Sequence, residues 1–162
     1  MDTLRKLYAY NAWANGRMFA ACRLADPAVL DAPSPGTVGT LAETVQHLVG
    51  VEEAYSLMMR GESLANRPSR EHHDLEWFAT RSVELEGEYA VIVAHADDAY
   101  LATELRVPWF DFPLTKHDGL VQVLNHSAQH RAQVLSALGA HGVDVPDVDY
   151  VLFVEESQQA AP

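Results

Sequence analysis

A chain of 162 residues, 48% of them hydrophobic, has the size and composition of one globular unit, so residues 1–162 are read as a single domain. Its 11 basic residues against 23 acidic ones give a formal net charge of −12, which opposes binding to a polyanion and argues against a nucleic-acid partner. The apolar residues fall in short periodic groups rather than in the span of roughly 20 that crosses a bilayer; no basic stretch followed by an apolar block opens the chain, and Cys22 stands alone, so the expectation is a soluble, cytoplasmic protein without disulfides.

Leu4, Leu7, Tyr8, Ala12, Met18, Phe19 and Cys22 recur at helical spacing up to about Leu24, where Asp26-Pro27 stops the pattern. A loop follows through Ala32-Pro33-Ser34-Pro35-Gly36. Thr40-Leu41-Ala42-Glu43 has the form of a capping box, and the stripe Leu41, Val45, Leu48, Tyr55 and Met59 predicts a second helix that runs to about Arg60 and ends at Gly61. Phe78, Leu85, Tyr89, Ile92 and Ala96 predict a third helix over about residues 71 to 98. Pro108 and Pro113 break the rhythm between Leu101 and Leu114, where a short hairpin or extended crossover fits. A weaker capping box, Thr115 to Asp118, opens a fourth helix with the stripe Leu120, Leu124, Val134, Leu135 and Leu138, ending near Gly139 or Gly142. The tail Val151 to Val154 is too apolar for solvent and is expected to pack on the bundle or on a second subunit. Four long helices without an alternating strand pattern indicate an all-α fold, a four-helix bundle with a short extended or hairpin segment between helices three and four.

His126 and His130 are four residues apart and fall on one face of the fourth helix, at the edge of its apolar stripe. His47 takes the matching edge of the second helix. Taken singly, each reads as a partly buried polar side chain satisfied by a carbonyl or a carboxylate. Together they read as a metal site, because two imidazoles one turn apart can converge on one ion while a neighbouring helix supplies the third. His72 and His73 are adjacent, so they diverge on a helix, and His95, His117 and His141 lack partners at ligand spacing. Cys22 faces a core, where a thiol is inert. No nucleophile elbow, phosphate-binding glycine loop or paired-cysteine zinc motif occurs. Sequence alone assigns no catalytic or substrate-binding residue. Glu52 and Asn11 are candidates for orienting the ligands.

Three stretches carry a family resemblance: Tyr10-Asn11-Ala12-Trp13-Ala14-Asn15, the segment Thr40 to Tyr55 around His47, and Asn125-His126-Ser127-Ala128-Gln129-His130-Arg131-Ala132-Gln133-Val134. With the closing Gly142, Pro146, Asp149, Tyr150 and Phe153, most of the chain resembles the DinB-like (damage-inducible) metal-binding four-helix-bundle proteins of bacteria. Ala132 departs from the pattern, since relatives often have glycine there. The resemblance implies an up-down-down-up bundle, commonly a homodimer, with His47, His126 and His130 around a divalent metal. Imidazoles suit several metals, with zinc, nickel or iron expected. The wider superfamily includes transferases dependent on bacillithiol or mycothiol. The resemblance therefore implies metal-dependent transfer of a low-molecular-weight thiol, as cosubstrate, to an electrophilic small-molecule substrate. The alternatives are a hydrolase that uses the same open site to activate water, and a non-catalytic, stress-related metal-binding or interaction module.

Overall fold

The computed structural model describes residues 2–160; Met1 and residues 161–162 lie outside that range. Helix α1 spans Asp2–Leu24. A four-residue helix, α2 (Pro27–Leu30), follows it, started by the Asp26 carboxylate accepting from the Ala28 amide and by proline at the first helical position. Helix α3 runs Leu41–Arg60. Its start is the expected capping box, with the Glu43 amide donating to Thr40 Oγ1 at 3.1 Å and the Thr40 amide donating to Glu43 Oε2 at 2.7 Å. Gly61 ends it in the left-handed region, at φ 74°.

Helix α4 spans Leu75–His95, starting later than the hydrophobic period predicts because Asp74 takes the cap, its carboxylate accepting from the Trp77 amide. A short helix, α5 (Asp98–Leu101), leads into the expected hairpin, in which β1 (Glu104–Leu105) pairs antiparallel with β2 (Leu114–Thr115). Glu104 lies opposite Thr115, and Leu105 opposite Leu114. Helix α6, Lys116–Ala140, begins at the second capping box, Thr115 with Asp118. The tail forms a last helix, α7 (Tyr150–Gln159), which the apolar run Val151 to Val154 does not announce by period. No helix among the described residues is long and apolar enough to cross a membrane.

Side-chain pairings fix the direction of each long helix. Tyr8 donates to the Leu120 carbonyl while Arg131 donates to Asn11 and Asn15, so α1 and α6 run parallel. Arg5 reaches Ala94 and Arg23 reaches Glu76, so α4 runs against α1. Glu53 pairs with Arg81 and Arg60 with Glu88, so α3 and α4 run the same way. His47 meets His126 while Met59 meets Lys116, so α3 opposes α6. The result is an up-down-down-up four-helix bundle in which α1 and α3 each pack between α4 and α6.

Leu41, Leu48, Leu85, Leu120 and Leu138 are essentially fully buried at the centre. Each contributes about 1.5–3 kcal/mol over an exposed position. Parallel neighbours α3 and α4 require a connection that returns along the bundle, and residues 61–74 supply it through two 3₁₀ turns, Leu64–Asn66 and Pro68–Arg70. The second turn is tied to α3: the Ser69 amide donates to Glu53 Oε2 at 3.0 Å, and Gln46 Nε2 donates to the Ser69 carbonyl at 3.3 Å. Gly50 faces this turn, with Ser69 Oγ as its near neighbour. At the other end, Leu105 and Met59 fill the space beside Gly119, so the hairpin closes that end of the bundle.

The tail packs on α1. Tyr10 donates to the Val148 carbonyl at 2.8 Å, and its ring sits edge-on to Tyr150 and Phe153 at 5.3 and 5.9 Å. Trp13 donates to Glu156, which also pairs with Arg17.

One polar network lies inside this apolar frame. Glu52 Oε1 accepts from Asn11 Nδ2 at 2.9 Å, Asn15 Nδ2 at 3.0 Å and Ser127 Oγ at 2.6 Å. The same two asparagines accept from Arg131 Nη1 through their Oδ1 atoms at 2.9 and 2.7 Å. All five side chains belong to buried residues. A buried carboxylate and guanidinium are thus bridged by two amides, and removing either charge leaves the other without compensation. Glu52→Ala is expected to cost about 3–5 kcal/mol in urea denaturation, as for other buried ion pairs broken on one side. A loss below about 1 kcal/mol, the level of an ordinary exposed pair, would contradict this account.

Candidate metal centre

α3 and α6, antiparallel and in contact, bring His47 against His126 and His130 midway along the bundle. The ring centroids of His47 lie 4.9 Å from His126 and 4.8 Å from His130, and those of His126 and His130 are 4.3 Å apart. Each ring offers one nitrogen, and these atoms all lie within 4.8 Å of one another. The Nε2 atoms of His47 and His126 are 3.0 Å apart.

Burial and the proximity of the other rings favour the neutral form of His47 and His126. Burial, with the neighbouring His130 and His47 adding to it, pushes the His126 pKa from its ordinary 6.5 down to about 4. The His47 pKa is lowered by burial first, then by His130 and by the charge of Arg67. A neutral imidazole is the form that ligates a cation. The tautomer of His130 is set by Gln133: Nδ1–H donates to Gln133 Oε1 at 2.7 Å, which leaves the lone pair on Nε2.

These features fit a divalent cation. Two nitrogens bonded to one metal at about 2.0–2.1 Å sit roughly 3.0–3.4 Å apart, and the 3.0 Å between His47 and His126 falls in that range. The other nitrogen of His126, Nδ1, is buried without a hydrogen-bond partner among the described residues, so this ring lacks the orienting contact that Gln133 gives His130.

His47 and His126 line a cleft of about 850 Å³ whose other walls include Val38, Val51, Tyr55, Arg67, Trp109 and Phe110. The cleft therefore draws on α3, α6, the 61–74 connection and the hairpin loop. Arg67, Ser69 and Trp109 carry no spacing signal that links them to the histidines; the fold brings them there. Gln133 was legible in principle, three residues beyond His130 on the same helix face.

Glu52 and Asn11 do not touch the rings; they belong to the buried network. Glu53 is likewise engaged, by Arg81 and the Ser69 amide. The remaining histidines stand apart from the triad. His72, His117 and His141 are exposed, His95 turns back to the Val91 carbonyl, and His73 stacks on Trp77 at 3.7 Å. Cys22 is buried away from the cleft, and burial pushes its thiol up to about 12.

The family model described as the DinB family matches residues 1–161. The chain belongs to the DinB family. Solved structures share its fold. YfiT from Bacillus subtilis, described as a probable metal-dependent hydrolase with an unusual four-helix bundle topology, superposes with a TM-score of 0.72 at 15% identity, over 89% of this chain and 90% of that one. A DinB-like protein from Bacillus cereus gives 0.68 at 18% identity, over 92% and 97%. The DinB-like protein YjoA from Bacillus subtilis gives 0.67 at 12%, over 88% and 97%. No curated protein matches the sequence.

Two measurements bear on the triad. In EDTA-treated protein, the unfolded chain takes up a proton at His126 between about pH 6.5 and 4 that the folded chain refuses, so stability falls as pH drops through that window. His126→Asn is expected to flatten this part of the curve of thermal midpoint against pH; parallel curves for the two proteins would refute the assignment. Gln133→Ala is expected to weaken metal binding about 10–100-fold in a competition titration, as loss of an orienting partner does elsewhere.

Proposed function

We propose that His47, His126 and His130 hold a divalent metal and that the protein is a metal-dependent transferase joining a low-molecular-weight thiol to an electrophilic small molecule. Zinc, nickel or iron suits the three imidazoles. When bound, such a cation supplies Lewis acidity and lowers the pKa of a thiol or water that reaches its open positions.

The observation that carries the choice of nucleophile is the state of the carboxylates around the cleft. Glu43 lines it but accepts from the Thr40 amide, and Glu52 and Glu53 are locked in buried hydrogen bonds. Among the described residues, Glu43 is the one carboxylate lining the cleft; its Oε2 is committed to the α3 cap, and only Oε1 could take a proton from water. A thiol, with an ordinary pKa of about 8.5, needs far less help to ionise near neutral pH. The chain's own residues then have three tasks. Gln133 orients His130, the buried network holds α3 and α6 in register, and the cleft walls orient the acceptor and exclude water. The cleft lies toward the upper end of the usual volume for small-molecule sites, with room for a thiol and an acceptor together.

Hydrolysis is the second reading, favoured by the fold shared with YfiT. The same cleft opening would admit water and a single substrate. A homodimer accords with the family resemblance.

The decisive experiment begins with metal analysis of the purified protein beside His126→Ala. The wild type is expected to carry metal near one equivalent and the variant to lose it; full retention by the variant would refute the ligand assignment. Thiol consumption is then followed with several thiols and electrophiles, before and after chelation. Turnover that needs both thiol and metal supports the transferase. Metal-dependent ester cleavage without thiol supports the hydrolase, and turnover indifferent to metal excludes both.

A further inference from the structure

Among the described residues, the buried side-chain polar atoms without a hydrogen-bond partner are Tyr55 OH, Arg67 Nε, Ser69 Oγ and His126 Nδ1. All four belong to residues lining the same cleft. Each such orphan costs about 1–3 kcal/mol, so several gathered in one place call for a ligand that satisfies them. His126 belongs to the triad, although the nitrogen it turns to His47 is Nε2 rather than Nδ1. The other three are potential donors, and nothing in the metal centre uses them.

Arg67 is the most informative of the three. Arg17, Arg23, Arg60, Arg81 and Arg106 are in ion pairs, and Arg5 and Arg131 donate hydrogen bonds. Among the described residues, Arg67 and Arg70 find no side-chain partner of either kind, although acidic residues outnumber basic ones by 23 to 11. Both come from the 3₁₀ connection that Glu53 and Gln46 pin against α3, and both line the cleft. Arg67 is half-buried and Arg70 exposed, so one guanidinium lies within the wall and a second adds positive charge nearby. Burial and then the charge of Arg70 weigh against the Arg67 cation, the Glu53 carboxylate opposes them in part, and an incoming anion would do so further. Val38, Val51, Trp109 and Phe110 give the rest of the cleft an apolar lining.

We propose that Arg67, supported by the Ser69 hydroxyl, is an oxyanion-binding subsite that takes the carboxylate or phosphate of a small apolar substrate whose reacting end lies toward His47 and His126. A planar guanidinium binds either oxyanion in fork geometry. The Tyr55 hydroxyl, kept protonated because burial raises its pKa, is a further donor in the same cleft. Arg67 also acts electrostatically on His47, which ties this subsite to the triad. The assignment deepens the proposed function and rests on the reading of the triad as a metal centre.

The test is calorimetric binding of 3-phenylpropionate, its neutral amide and phenyl phosphate to the metal-loaded protein. At least one anion is expected to bind about tenfold or more tightly than the amide, the size of effect a charge-assisted hydrogen bond supplies. The preferred anion identifies the oxyanion as carboxylate or phosphate. Arg67→Gln is expected to erase the preference while leaving amide affinity unchanged. Arg67→Lys, which keeps the charge but loses the fork, should show an intermediate preference and controls for a folding defect. Equal binding of all three probes to the wild type would overturn the proposal. A preference that survives Arg67→Gln but vanishes in His126→Ala would place the anion on the metal, overturning the subsite while leaving the metal centre intact. A preference lost in Arg67→Gln but kept in His126→Ala supports the subsite whatever the metal analysis shows.

Discussion

The hydrogen-bonded bridge from Glu52 through Asn11 and Asn15 to Arg131 sets the register on which the triad depends. Ser127, which donates to Glu52, is the residue after His126, and Arg131 is the residue after His130. Glu52 itself lies little more than one turn beyond His47 on α3. The polar ties between α3, α6 and α1 are therefore made beside the three histidines. Apolar contacts alone would tolerate a slip of one helix along another with modest loss. This network does not, because a one-residue shift turns a side chain through about 100° and leaves a buried charge unpaired.

The network also explains why the centre of the bundle carries so many polar groups at little evident cost. Glu52 oxygen Oε1 is saturated by two amides and a hydroxyl, and Tyr89 closes the neighbouring Glu52 carbonyl at 2.7 Å. The unsatisfied atoms are gathered in the cleft instead. Satisfied polarity thus lies between the helices that the network holds together, and unsatisfied polarity lies in the cleft.

Much of this was legible in the chain. The stripes on α1, α3, α4 and α6 report their buried faces because helical period survives any environment, and the capping boxes at Thr40 and Thr115 locate two starts to the residue. Pro108 and Pro113 mark the hairpin. The triad could be read because His126 and His130 carry their relation in their spacing. What stayed hidden depends on which helices become neighbours. Asn15 and Arg131 look like surface residues until α1 and α6 are set side by side, and Glu53 is fully buried although it sits next to another acid. The short helices α2 and α5 are too brief to show a period, and α7 hides its own because its apolar residues are consecutive. Arg67 lies in a polar connection that resembles a solvated loop until the parallel course of α3 and α4 forces it back along the bundle.

That return path has an evolutionary consequence. Residues 61–74 supply a wall of the cleft yet add little to the central core, so mutation there is decoupled from folding in a way that mutation on α3 or α6 is not. The histidine triad and the bundle can be inherited unchanged while the connection varies in length and charge. A lineage could thereby reshape the cleft by editing a single segment, with Glu53 as the anchor point that such editing must respect.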